Sequence, residues 1–199
     1  MTTDPEMLPD EVDDCALVRQ ALAEREAFAA LFDRYYRRLY AYAAARVYVR
    51  EDAEDITAEV FQRVILHLGT FRCEHAASFA SWLFRIARHE VIRHYERHQR
   101  QPVTLPLEDA DVAASPGDPN AFMVQQDEAQ QLWRAVGQLS PRRQEIITLR
   151  FYAELRNHEI AEVLGLDERT VAAHLCRGLD DLQRMLTEQP LKTAERSKP

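Results

Sequence analysis

Apolar residues recur at three- and four-residue steps through most of the chain, while strand-like alternation is scarce, so the pattern predicts helices nearly throughout. A short helix is expected from about Asp14 to Ala23, with Ala16, Leu17, Ala21 and Leu22 on one side. From Glu26 to Val47, the residues Phe28, Leu31, Phe32, Tyr35, Leu39, Tyr42 and Ala43 keep a helical period and form a core stripe. The stretch 48–71 reads as a third helix with Ile56, Val60, Phe61, Ile65 and Leu68 pointing inward. Glu51 or Asp52 would cap it, acids crowd its first turns where the helix dipole favours them, and Gly69 stands where a C-terminal cap belongs. A loop from Thr70 to Ala77 leads into Phe79–Arg100, whose buried side is marked by Phe79, Leu83, Ile86 and Ala87 and which no Pro or Gly interrupts. Four such helices make a bundle.

The character changes at Gln101. The segment QPVTLPLEDADVAASPGDP holds four prolines, a glycine and no basic residue, which predicts an extended linker over 102–119. A second helical block follows, with a helix over 122–139 and another from Pro141 to about Tyr152, announced by an N-cap residue and a first-turn proline, Ser140-Pro141. Residues 157–177, NHEIAEVLGLDERTVAAHLCR, have the spacing of a helix-turn-helix. Ala161 is small where two helices cross, Gly165 sits where the turn needs a positive φ, Val171 faces back into the pair, and Asp167 caps the second helix. Ile160, Leu164, Leu166 and Leu175 complete that small core.

Composition narrows the class. At 199 residues, 46% hydrophobic and 29% charged with only 5 glycines, the chain fits one medium or two small soluble all-α domains. No run approaches the ~18 apolar residues of a membrane span, and the acidic start MTTDPEMLPDEVDD is unlike a signal peptide, so a cytoplasmic protein with no membrane partner is expected. Cys15, Cys73 and Cys176 are far apart and form no CxxC, which predicts reduced small hydrophobes rather than disulfides or a zinc site. The net charge of −8 argues against nucleic acid until it is mapped. Residues 1–24 hold seven acids and one base, and 102–128 hold six acids and no base; the helical blocks 25–101 and 129–187 are mildly basic and neutral.

The candidate chemistry lies in the helix Phe79–Arg100. Arg85, Arg88, Arg93, Arg97 and Arg100, with His89, His94 and His98 among them, suit a phosphate backbone, and Trp82 and Tyr95 lie close by. The plainer alternative is a solvated basic face, with Trp82 in the core. HEVIRH resembles a zinc-protease motif, but its histidines are five apart and so about 140° apart around a helix at ~100° per residue. Glu90, His94 and His98 do share a face and define a metal-hydrolase alternative. No nucleophile elbow or phosphate loop appears, and neither catalytic residues, cofactor nor metal is expected.

Taken together, DAEDITAEVF (Asp52–Phe61), SFASWLFRIARHEVIRHYER (Ser78–Arg97) and the run Leu139–Leu182 resemble, in that order, the extracytoplasmic-function (ECF) type of RNA polymerase sigma factor, the small two-domain branch of the sigma-70 family. The resemblance covers about residues 14–186. It implies an all-α chain: a four-helix region-2 domain over 13–101 and a region-4 helix-turn-helix domain over 120–187, joined by the acidic linker 102–119 and flanked by tails 1–12 and 188–199. Asp52, Glu54, Asp55, Glu59 and Phe61 would dock on the clamp helices of the largest subunit of bacterial core RNA polymerase. The loop Thr70–Ala77 would hold a flipped base of the minus-ten element. Arg72 and Ser78 at its ends, then Arg85, Arg88, His89, Arg93 and Arg97, would meet the melted promoter strand. Arg169, Thr170, Ala172, Ala173, His174 and Arg177 would form the minus-thirty-five surface. There Ala172 and Ala173 replace the Lys-Ser usual in the family, which predicts weak or unusual minus-thirty-five binding. His89 and Arg93 stand where Asn and Asp are common. An anti-sigma protein is a further partner the family allows, and the tail 188–199 is too short for a sensory domain. A LuxR-like helix-turn-helix regulator acting without polymerase is the rival reading.

Overall fold

The computed structural model describes residues 13–47, 49–73, 78–98, 131–132 and 134–188, without the side chains of His98 and Glu188. The predicted tail 1–12 and linker, the predicted tail beyond Glu188, the second half of the Thr70–Ala77 loop and the first part of the helix expected at 122–139 lie outside the described residues. The rest is helical: α1 Asp14–Ala23, α2 Phe28–Ala44, α3 Arg50–His67, α4 Phe79–His98, a short α5 at 134–138, α6 Pro141–Phe151, α7 Asn157–Leu164 and α8 Glu168–Glu188. Short 3₁₀ turns, Arg25–Ala27 and Leu68–Thr70, precede α2 and follow α3.

In the first half, α2 packs on α1, α3 and α4, and α3 packs on α4. The stripe read from the sequence supplies the centre: Leu31, Tyr35, Leu39, Tyr42 and Ala43 of α2 are buried against Val60, Phe61 and Val64 of α3 and Phe79, Leu83, Phe84 and Ala87 of α4. Three local expectations about α3 need correction. Ile65 is half exposed: the buried side of α3, Ala53, Ile56, Thr57, Val60, Phe61 and Val64, ends before it. The N-cap is Val49 and makes no side-chain cap bond; Glu51 and Asp52 lie inside the first turn, where they face the dipole without capping. Gly69 is not a left-handed cap. The helix tightens into the Leu68–Thr70 turn instead, and among described residues the only glycine with positive φ is Gly165.

The cysteine expectation is also overturned. Cys15 and Cys73 are joined in a disulfide, while Cys176 is free and exposed. Sequence distance misled here: α1 lies against the 3₁₀ turn after α3, which brings Cα atoms 58 residues apart to 5.7 Å.

The helix-turn-helix forms as its spacing predicts. Gly165 ends α7 at φ +65°, Ala161 and Val171 are buried between the helices, and the Asp167 carboxylate accepts the Thr170 N–H at 2.8 Å and its hydroxyl at 2.6 Å. Those bonds, the side-chain one foremost, hold the Asp167 carboxyl below its ordinary range. Ser140 and Pro141 open α6 as expected. This second unit does not stand apart: α7 packs against α4, and Ile146, Leu149, Leu155 and Ile160 join the same core as Leu31 and Leu39.

Candidate nucleic-acid interface

The basic helix owes its shape to a two-sided pattern. Phe79, Ala80, Leu83, Phe84, Ala87 and Val91 are buried, which leaves Arg85, His89, Arg93 and Arg97 exposed at four-residue intervals. At 1.5 Å per residue these four make a ridge about 18 Å long. Neither nearby aromatic stands free to stack. Trp82 packs on Phe71 and Phe79 at 5.4 and 5.7 Å between ring centres, and the Tyr95 hydroxyl donates to the Arg46 carbonyl.

The ridge divides into two stretches by what its side chains touch. Towards its start it meets the second unit. Ser78 donates to Glu159 Oε1 at 2.8 Å, Arg85 to the Glu162 carbonyl at 3.1 Å, and the Arg88 guanidinium lies 3.9 Å from Glu145. Glu145 is itself buried, taking the Tyr42 hydroxyl at 2.8 Å and Arg46 at 3.1 Å. Burial, and then the neighbouring Glu145, raise the Tyr42 phenol well above its ordinary range, so it remains a donor. Arg38 adds bonds to the Ala153 carbonyl at 2.7 and 2.9 Å. Arg38, Arg46 and Glu145 were missed in the sequence, and Tyr42 was read only as core, because no local motif links positions about a hundred residues apart.

Towards its end the ridge meets α3. Glu90 is buried with its carboxylate 2.6 Å from Arg63, 3.6 Å from Arg93 and 4.0 Å from Arg97. Glu90 is thus committed to arginines, and His94 lies 3.4 Å from Asp52; the side chain of His98, the third member of the metal-site alternative, is not described. Arg97 donates to Glu59 at 3.2 Å, and this bond lowers the Glu59 carboxyl and raises the guanidinium. Between the helices lies a groove of about 700 Å³ whose lining includes Glu59, Arg63, Arg93 and Arg97. Arg63 was not singled out in the sequence, although it sits one turn from Glu59 on the same face.

Of the acids assigned to polymerase, Asp55 and Glu54 are exposed, with Glu54 paired to Arg50 at 2.9 Å, whereas Asp52 and Glu59 face His94 and Arg97 of α4. Phe61 is buried against Phe28, Phe32 and Tyr36, so it anchors α3 to α2. Arg72 is exposed beside the Gly69 carbonyl. On α8, Arg169, Ala172, Ala173 and Arg177 are exposed, Thr170 is occupied by its cap bonds, and His174 is half-buried. Asp181 turns inward to Arg143 on α6.

The sequence matches the family models "Sigma-70 region 2" over residues 31–101 and "Sigma-70, region 4" over 129–182. It is 35% identical over 176 residues to the ECF RNA polymerase sigma factor BldN of Streptomyces coelicolor, covering 86% of this chain and 65% of that relative. It is 30% identical over 163 residues to the ECF RNA polymerase sigma factor SigX of Bacillus subtilis, covering 80% of this chain and 83% of that relative. The fold is similar to that of the sigma factor RpoE in its complex with the anti-sigma factor NepR from Bartonella quintana, with TM-score 0.62, 18% identity, and 80% and 96% of the two chains covered. The region-2 match in one unit and the region-4 match in the other, in that order, with a relative matched along most of its length, place the chain in the ECF sigma factors of the sigma-70 family.

Proposed function

We propose that this sigma factor divides its work among three surfaces. Glu54 and Asp55, with Asp52 and Glu59 beside them, dock on the clamp helices of core RNA polymerase. The ridge Arg85–His89–Arg93–Arg97, with Arg72, Ser78 and Arg88, receives the melted minus-ten strand. The exposed side of α8 at Arg169, Ala172, Ala173 and Arg177 reads the minus-thirty-five duplex. The observation that carries this reading is the ridge: four basic side chains, one per turn, exposed along one helix whose other side is locked into the core. Three arginines and a histidine spaced on a rigid support suit a phosphate chain, and the exposed acids of α3 suit a partner rich in arginine. The factor catalyses nothing itself and works in the cytoplasm, where polymerase and promoters are. An anti-sigma protein, as RpoE has in NepR, is its expected antagonist.

The test is co-elution of the purified protein with sigma-free core polymerase on gel filtration, followed by transcription from a library of promoter fragments. Co-elution and new start sites are expected. Elution alone, with binding to a palindromic duplex as a dimer, would replace this reading with a polymerase-independent regulator.

A further inference from the structure

Cys15 stands in the first turn of α1, and Cys73 is three residues past the turn Leu68–Thr70, on the segment that runs from α3 towards α4. Their disulfide fastens α1 to that segment. The other attachments of α1 run mainly to α2: Asp14 accepts from Arg34 at 2.8 Å and from the Tyr35 hydroxyl, and Leu17 and Val18 are buried in the core. On the other side, Phe71 is held among the rings of Phe79 and Trp82. After Phe71, the segment is held by the Arg72 bond to the Gly69 carbonyl at 3.3 Å and by the Cys73 disulfide. Cys73 is exposed and Cys15 half-buried.

A protein that works beside RNA polymerase and DNA sits in a compartment whose thiol pools keep cysteines reduced, and a disulfide formed there is as a rule transient and redox-responsive. We propose that Cys15 and Cys73 are a redox-modification site, a dithiol in the resting protein that a hydroperoxide converts into the disulfide, and that this bond raises promoter opening by holding Arg72 between two anchored neighbours. The second clause rests on the sigma-factor reading. The exposed Cys73 thiolate attacks the peroxide, the O–O bond breaks, and the sulfur becomes a sulfenic acid. The Cys15 thiolate then attacks that sulfur, forming the S–S bond as the S–O bond breaks. The two sulfurs give up two electrons, and their two protons go to the two departing oxygens, making two waters from hydrogen peroxide. A dithiol reverses the change through a mixed disulfide on the exposed Cys73. With the bond made, Cys73 is tied to α1 while Phe71 is held on α4. Arg72 between them is then held in position before DNA arrives, and less ordering is left for binding to supply.

The experiment uses the full chain, with Cys15→Ser and Cys73→Ser variants. Alkylation mapped by mass spectrometry after hydrogen peroxide should show Cys15 and Cys73 protected together and Cys176 still modified, with dithiothreitol restoring both. The oxidised protein should melt about 5 °C or more above the reduced one, as closing a long loop requires. On core polymerase, permanganate footprinting should show several-fold more open complex with oxidised than with reduced wild type, and no redox response in C73S. Cys15 and Cys73 staying alkylatable after peroxide would overturn the site. Equal opening by the oxidised, reduced and C73S proteins would overturn its role. Failure of the reduced wild type to bind polymerase would instead count against the sigma-factor reading and leave the thiol result standing.

Discussion

At the scale of single residues, Glu90 shows how a buried charge arranges an exposed surface. Its carboxylate is almost wholly shielded from water, and Arg63, its nearest partner at 2.6 Å, comes from the neighbouring helix. Removing one member of such a pair strands the other, and the stranded desolvated charge dominates the cost. Arg63→Ala should therefore destabilise the fold by about 2 kcal/mol, less than for a fully buried pair because Arg63 is partly exposed and Arg93 and Arg97 still face the carboxylate. Adding Glu90→Gln to that variant should restore most of the loss; urea denaturation of the four members of the cycle measures it. Glu59 gives a pH dependence of known sign. Its folded-state pKa is depressed, first by the hydrogen bond from Arg97, so its contribution is present above the ordinary carboxylate pKa and is lost as pH falls through the depressed value. The melting-temperature gap between wild type and Glu59→Gln should thus be open at pH 7 and close as pH drops below about 4. A gap that widens on acidification would mean the pair is not what sets the difference.

At the scale of elements, the turn between α7 and α8 was legible because everything that makes it is local. Ala161, Gly165, Asp167 and Val171 lie within eleven residues, and each has a role fixed by helix geometry. Gly165→Ala isolates one of these roles: no atom lies within 4 Å of the added Cβ, so the whole cost is the left-handed backbone, about 1 kcal/mol. That corresponds to a melting temperature lower by roughly 2–4 °C, with the fold and polymerase binding retained. Gly178 is the opposite case, since its α-carbon faces α6 and a Cβ would come within 3.3 Å of Ile147. Gly178→Leu should cost more, about 1–3 kcal/mol, by wedging α8 off α6. The sequence announced Gly165 through its motif but said nothing of Gly178, whose role is set by a helix crossing. Ile65 fails for a related reason: a helical period identifies a stripe, and only the neighbours decide where its edge falls. The partnership of Cys15 with Cys73 has no local signal, because the packing of α1 against the turn after α3 creates it.

At the scale of the whole molecule, the sequence reads as two independent bodies on a linker, whereas the structure places α6 and α7 against the very face that should receive promoter DNA. Ser78, Arg85 and Arg88 are engaged by Glu159, the Glu162 carbonyl and Glu145, so carboxylate and carbonyl oxygens stand where phosphate oxygens would. On the proposed assignment DNA and the second unit would compete for one set of side chains, and only molecules in which the units have parted would take the melted strand. The apparent dissociation constant is then the intrinsic one divided by the open fraction. Glu145→Gln with Glu159→Gln removes both acids at nearly constant shape. It leaves Arg46 and Tyr42 without a charged acceptor in the interface, which shifts the balance towards parted units. The polymerase-free variant should bind a single-stranded minus-ten oligonucleotide about tenfold more tightly than wild type, a gain worth about 1.4 kcal/mol, as read by fluorescence anisotropy. Small-angle scattering should show a larger radius of gyration at the same time. Arg88→Ala in the same background should cancel most of the gain, since the freed guanidinium is the group the strand would use. Tighter binding without expansion would trace the gain to net charge alone, and unchanged binding with expansion would mean that the covered side chains are not the promoter contacts.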